Sequence, residues 1–177
     1  MLDLESSLSL RLLFRVARRR VTLGFVVAVG AFAFARPSWQ SLAFGVPVAV
    51  IGEAIRMWAA GHLIKGREVT TSGPYALMRH PLYAGSAVIG VGFVIAAASP
   101  IAAVLVLGYL TVMIAVSIRL EEATLRAAFG ETHARYVAGE ARPTARRFSS
   151  RRVRENREHQ ALLGLVASVA ILGLLAS

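Results

Sequence analysis

Apolar residues along this chain are gathered into blocks rather than spread: Val21–Ala35, Leu42–Leu63, Leu82–Ala98, Ile101–Ile118 and Ala161–Ala176. Basic or Gly/Pro-bearing segments separate them. A helix crosses a bilayer with roughly 20 apolar residues, the lower limit lying near 17. The second, third and fourth blocks reach that length, while the first and last are short. The pattern predicts an all-α, polytopic membrane protein of about five transmembrane helices. Between the third and fourth blocks stands only Ala98-Ser99-Pro100, so these two spans are predicted to form an antiparallel hairpin.

The polar stretches also carry pattern. Residues 1–20 alternate Leu8, Leu12 and Val16 with Arg11, Arg15 and Arg18, which predicts an interfacial amphipathic helix leading into the first span. Arg36-Pro37-Ser38-Trp39 closes that span, with Trp39 suited to an interface. Pro81 sits where a first helical turn accepts proline. After the fourth span, Leu125, Phe129 and Tyr136 supply the apolar face of a cytoplasmic amphipathic helix from Ala123 to Ala138. The chain thus divides into the N-terminal helix, a membrane domain over 21–143, a basic linker over 144–158 and a C-terminal apolar helix over 159–177. Gly139–Glu158 reads as a mobile segment lying along the lipid surface.

Composition supports the membrane reading. Of 177 residues 56% are hydrophobic and the mean hydropathy is +0.60, more apolar surface than one soluble core of this size hides. The N-terminus carries Asp3 and Glu5 ahead of its arginines and has no small-residue cleavage site, so it does not read as a removed signal peptide. There is no cysteine, which excludes disulfides and thiolate metal sites. The four histidines (His62, His80, His133, His159) are scattered without paired spacing, so no metal site is expected.

The net charge of +10 invites a nucleic-acid reading, but its placement argues for lipid. Arg11, Arg15, Arg18, Arg19 and Arg20 precede the first span. Lys65, Arg67 and Arg79 lie between the second and third, and eight arginines fall in 135–157. The opposite ends carry Arg36 alone. By the positive-inside rule the N-terminus, the 64–80 loop and the 119–158 segment are expected in the cytoplasm. The arginine-rich stretch after Tyr136 holds one aromatic, Phe148, so it offers no stacking platform for bases. Anionic headgroups are its expected partners.

Three clusters carry candidate chemistry, and the expected topology brings them to one membrane face: Gly73-Pro74-Tyr75 followed by Arg79-His80-Pro81-Leu82-Tyr83-Ala84-Gly85, Arg119 with Glu121 and Glu122, and Glu53 with Arg56 inside the second span. Taken singly, the first two have ordinary explanations as interface aromatics, a helix-start proline and a solvated helix face. Glu53 and Arg56 are harder to dismiss, because an ionised side chain in mid-span costs several kcal/mol. At i, i+3 they can pair with each other; alternatively Arg56 faces a polar cavity and holds an anionic headgroup. No phosphate-cradling loop, dinucleotide fingerprint or nucleophile elbow is present, so hydrolase and ATPase readings lack support.

The combination says more than its parts. Gly-Pro-Tyr-x3-Arg-His-Pro-x-Tyr-x-Gly at 73–85, a helical hairpin, Glu-Glu-x2-Leu-x3-Phe-Gly at 121–130 and Tyr136 closely resemble the isoprenylcysteine carboxyl methyltransferase family and its relatives, the membrane phospholipid N-methyltransferases. The resemblance covers roughly 45–143. It implies an integral membrane methyltransferase that binds S-adenosylmethionine at the cytoplasmic boundary and takes a lipophilic acceptor from the bilayer. That acceptor would be an isoprenylcysteine-like carboxylate or a lipid headgroup. By the same resemblance Tyr75, His80, Pro81, Leu82 and Tyr83 line the cofactor pocket with Val69 and Thr70 nearby, and Glu121 contacts the cofactor. Arg56 is implied in acceptor binding, with Arg119 and Glu122 as catalytic candidates on the acceptor side. The loop between Arg56 and Gly73 is short compared with the family's eukaryotic enzymes, which implies a reduced lid over the cofactor, and the last apolar block falls outside the resemblance with no role assigned. Two other readings stay open: a membrane reductase using NADPH, and a non-catalytic protein that binds anionic lipid.

Overall fold

The computed structural model describes residues 8–177, with side chains from Leu13 onward. The described residues form helices α1 (Leu8–Arg18), α2 (Arg20–Phe34), α3 (Trp39–His62), α4 (Pro81–Ala97), α5 (Pro100–Val137), α6 (Ser150–Glu155) and α7 (Glu158–Leu175), with a 3-10 turn at Gly73–Ala76 and no strand. The expected all-α polytopic architecture is therefore present. Helices α3, α5 and α7 are long and apolar enough to cross a membrane, whereas α2 and α4 are shorter apolar helices. The C-terminal block, short by its apolar residues alone, reaches spanning length because its helix starts at Glu158, three residues ahead of them. The third block forms a helix of 17 residues, at the lower limit for spanning.

The hairpin between α4 and α5 is built as the turn residues dictate. Ala98 ends α4 in the left-handed conformation (φ 47°), Ser99 caps α5 by accepting a hydrogen bond from the Ala102 N–H, and Pro100 fills its first turn. Expected as a separate N-terminal element, α1 packs along α5 as α2 does. Residues 1–7 and the side chains of Leu8, Arg11 and Leu12, on which the amphipathic reading partly rested, lie outside the described residues. The amphipathic helix expected from Ala123 is continuous with the fourth span, since no breaker separates Arg119 from Phe129. Gly130 interrupts it instead, with φ 42° and ψ −111°, a backbone conformation open to glycine alone.

Helices α3 and α4 hold the bundle together through small residues. Gly45, Ala49 and Gly52 of α3 face Gly85, Ile89, Gly92 and Ala96 of α4 so closely that a Cβ on Gly52 would lie 2.6 Å from the Ile89 amide nitrogen and 2.7 Å from the Gly85 carbonyl oxygen. Lipid offers no hydrophobic gain for packing one apolar helix on another, so close backbone approach and dispersion supply the association. At the end away from the basic segments Ala31, Leu42, Ala96, Ala97, Ala102 and Leu172 form a buried cluster. Leu172 fixes that end of α7 in the bundle.

The basic segment expected as a mobile linker folds back on the bundle. The Ser149 N–H and Arg152 Nε both donate to the Gly61 carbonyl, at 3.1 and 2.6 Å. Asn156 Nδ2 donates to the carbonyls of Ala60 and Leu63 at 3.0 and 3.1 Å. These carbonyls belong to the last turn of α3, where helical acceptors have no partner within the helix and cations are favoured by the dipole. Arg152, which reads as lipid-facing in sequence, is thus committed to capping α3.

Candidate active site

The structure brings the sequence-predicted residues to the basic end of the bundle in two adjoining places. The first lies under the 63–70 loop. Pro74 within the 3-10 turn starts a tight fold that buries Tyr75. Gly73 enters that turn with φ +57°, and a Cβ there would sit 2.6 Å from the His62 ring, so both backbone and space demand glycine. Behind it the buried His62 Nδ1 and Ser72 Oγ lie 3.2 Å apart. Tyr136, turned inward after Gly130, donates its hydroxyl to the Tyr75 carbonyl at 2.8 Å. Val69, Thr70, Tyr75 and Glu121 line one small cavity of about 50 Å³ together with Glu68, Arg79 and Tyr136. A second space of about 240 Å³ adjoins it across Tyr75, Arg79 and Tyr136.

The two neighbouring glutamates are held differently. Glu122 Oε1 faces His80 Nε2 at 3.2 Å and Arg79 Nη1 at 3.4 Å, tying the start of α4 to α5. Glu121 pairs with no cation among the described residues. It lies close to the phenols of Tyr75 and Tyr83. Burial, and then the Glu121 charge, push the Tyr75 phenol above its ordinary range, so it is a neutral ring at any physiological pH. Pro81 is fully buried, Leu82 is half-buried beside it, and Arg119 is exposed on α5.

Over this first place the loop is strapped down. Arg146 makes a bidentate pair with Glu68, 2.5 and 2.8 Å, and also donates to the His62 carbonyl at 3.1 Å. The Arg146 hydrogen bond holds the Glu68 carboxyl below its ordinary value of 4.5. A depressed carboxylate contributes stability above its unfolded value and loses it as pH falls through the folded value. Exchange of the 63–70 amides, corrected for its intrinsic pH dependence, is therefore expected to stay constant from about pH 7 to 5 and to rise below about 4.5. Glu68→Gln should exchange rapidly at every pH. A rise that persists unchanged in Glu68→Gln would assign it to another group.

The second place lies within the bundle. An elongated cavity of about 610 Å³ runs between α2, α3, α4, α5 and α7, its walls almost wholly apolar and its polar end formed by Arg56 and Ser86. The Arg56 stem passes over Gly85, where a Cβ would meet its Cγ at 2.6 Å. The final glycine of the Arg-His-Pro-x-Tyr-x-Gly stretch is thus needed for the arginine of the preceding helix to reach the cavity. Arg56 Nη1 donates to Ser86 Oγ, and Nη2 to Glu158 Oε2 at 2.7 Å. The expected Glu53 partner is more distant, 3.8 Å from Nε, and both Glu53 oxygens are buried without a hydrogen bond.

Sequence reasoning missed Glu158 and Glu68. Glu158 stood 102 residues from its partner at the head of a helix with no assigned role, and its one signal was an acid directly preceding an apolar block. Among the described residues no group of three or more His, Asp or Glu is placed to hold a metal ion.

Comparison with known proteins bears on this arrangement. The phospholipid methyltransferase family model matches residues 48–132, the stretch that carries Arg56, Tyr75, His80, Tyr83 and Glu121. Protein-S-isoprenylcysteine O-methyltransferase B of Arabidopsis thaliana is 29% identical over 144 residues, covering 75% of this chain and 73% of that protein. No solved structure matches the chain. With the helical hairpin, the Arg-His-Pro-x-Tyr stretch and the paired glutamates at one end of the bundle, these matches make the chain similar to the isoprenylcysteine carboxyl methyltransferase and phospholipid methyltransferase family of membrane methyltransferases.

Proposed function

We propose that the protein transfers the methyl group of S-adenosylmethionine to the polar head of a lipophilic acceptor whose tail occupies the 610 Å³ cavity. The observation that carries this reading is the connection between the two places. Tyr83, beside Glu121, and Ser86, on Arg56, are one turn apart on α4, a rise of about 5 Å. A head group at Arg56 and a methyl donor at Glu121 are thereby within reach of each other.

The residues suit the donor's chemistry. When bound, S-adenosylmethionine supplies a methyl group already activated on a cationic sulfonium. Glu121, with no cation of its own, offers the opposite charge, and the neutral rings of Tyr75, Tyr83 and Tyr136 offer faces to a cation or an adenine. The enclosed space beside Glu121 is far smaller than the roughly 300 Å³ at the lower end of ligand pockets, so the 63–70 loop must lift for a nucleoside to enter. Val69 and Thr70 move with that loop. His80 is held by Glu122 and in turn fixes the first turn of α4, next to Pro81 and Leu82. We therefore assign Glu122 to positioning, with Arg119 outside the contact set.

Methyl transfer by in-line displacement asks mainly for alignment of nucleophile and methyl carbon at about 3 Å with water excluded. The apolar cavity supplies the exclusion, and Arg56 with Ser86 orients the acceptor head. The experiment is calorimetry of the purified protein in nanodiscs with S-adenosylmethionine, with NADPH as the control, followed by labelled methyl transfer to lipophilic carboxylates, thiols and amines. Binding of the first and not of NADPH is expected; no binding at millimolar S-adenosylmethionine sinks the reading. Tyr83→Ala should weaken cofactor binding, whereas Arg56→Ala should raise the acceptor KM and leave cofactor affinity within about twofold.

A further inference from the structure

The guanidinium at the polar end of the cavity is already engaged by the protein's own acids. Arg56 has five donors, and they face Ser86, Glu158 at 2.7 Å and Glu53 at 3.8 Å. Glu158 belongs to α7, outside the stretch matched by the family model, and it is buried although it opens its helix. Two carboxylates therefore stand against one cation, and an acid arriving in the cavity would be a third anion beside them.

From this we propose that Glu158 determines acceptor specificity. Its carboxylate occupies the place on Arg56 that an acceptor's acid would take, so an acidic amphiphile binds only by displacing it and releasing the head of α7. The proposal rests on the reading of the cavity as the acceptor site. The backbone at this point is built for such a release. Arg157 between α6 and α7 holds a left-handed conformation, φ 59°, that non-glycine residues adopt at a cost. Such strain persists where neighbours over-determine it. Here Asn156 is pinned on the Ala60 and Leu63 carbonyls and Glu158 on Arg56. Losing the second anchor lets the turn relax, while Leu172 keeps the far end of α7 in its buried cluster. In its first two turns α7 presents Ala161 and Gly164 to the cavity, and its larger lining residues, Leu165, Val169 and Leu172, lie further from the head, so packing opposes an outward tilt least at the head.

The test measures equilibrium partition of myristate and 1-tetradecanol, matched in tail and different in head, into nanodiscs with and without the full chain. Wild type is expected to bind the alcohol and to bind myristate weakly. Glu158→Gln, which keeps shape and removes charge, should bind myristate about tenfold more tightly, a free guanidinium–carboxylate pair being worth at least one such factor. Alcohol binding should change less than about twofold. Because the chain has no cysteine, a spin-label pair at Leu163 and Ile51, both exposed, reads α7 directly. The distance should lengthen on adding myristate to wild type and be lengthened already in Glu158→Gln. Unchanged or weaker myristate binding in Glu158→Gln, with alcohol binding intact, overturns this inference alone. Absence of binding by either probe in wild type removes the acceptor-cavity reading and this inference with it. If Glu158→Gln fails to fold, the myristate-induced distance change in wild type decides, and a static α7 overturns the proposal.

Discussion

Glu121→Gln is expected to weaken S-adenosylmethionine binding about 100-fold in nanodisc calorimetry while leaving thermal unfolding of the apoprotein unchanged. Truncating one partner of a desolvated charge pair costs about 2–5 kcal/mol, and each 1.4 kcal/mol is a factor of ten. Glu121 is suited to so large a loss because no protein cation neutralises it among the described residues, so its charge is available to the sulfonium. No ion pair in the apoprotein depends on that charge among the described residues, and glutamine keeps the shape of the side chain beside Tyr75 and Tyr83. Glu122→Gln provides the contrast. Its carboxylate joins Arg79 and His80, so its neutralisation loosens the start of α4 and should lower stability and cofactor affinity together. Equal cofactor affinity in wild type and Glu121→Gln would remove Glu121 from the site.

How far these roles were legible in the sequence depends on what each residue is packed against. The hairpin, the blocks and the convergence of Arg56, His80, Tyr83 and Glu121 followed from turn chemistry, charge placement and motif spacing, all local or near-local signals. The pairing of Arg56 did not. In sequence its obvious partner is Glu53, one turn away, but at 3.8 Å that carboxylate makes an ion pair without a hydrogen bond, and a glutamate from the opposite end of the chain takes the guanidinium instead. Apolar helices hide such partners because lipid-facing and protein-facing sides are written in the same residues. The 144–158 arginines were opaque for a related reason. A cation bound for a headgroup and one bound for the last carbonyls of a helix look identical until the chain is traced back to Gly61. Where the packing surface has a composition of its own, as in the glycines of α3 and α4, the sequence did contain the information.

That glycine surface carries the second large effect. Gly52→Val is expected to destabilise the protein by about 3 kcal/mol or more in reversible unfolding from mixed micelles. The branched side chain would enter at 2.6 and 2.7 Å from the Ile89 amide and Gly85 carbonyl. Both are helix backbone atoms, which cannot yield by a rotamer change as a flexible side chain can, so relief comes only by separating α3 from α4. Separation also widens the gap between Arg56 on α3 and Ser86 on α4, so methyl transfer should fall even under conditions where the variant remains folded. Gly108→Ala on α5, where an added Cβ meets nothing within 4 Å, is the control and should be neutral or slightly stabilising, since alanine is the better helix former. If the two variants unfold alike, close approach of α3 and α4 is not what holds this bundle. The acceptor end of the site would then have to owe its geometry to the polar contacts of Arg56 with Ser86 and Glu158.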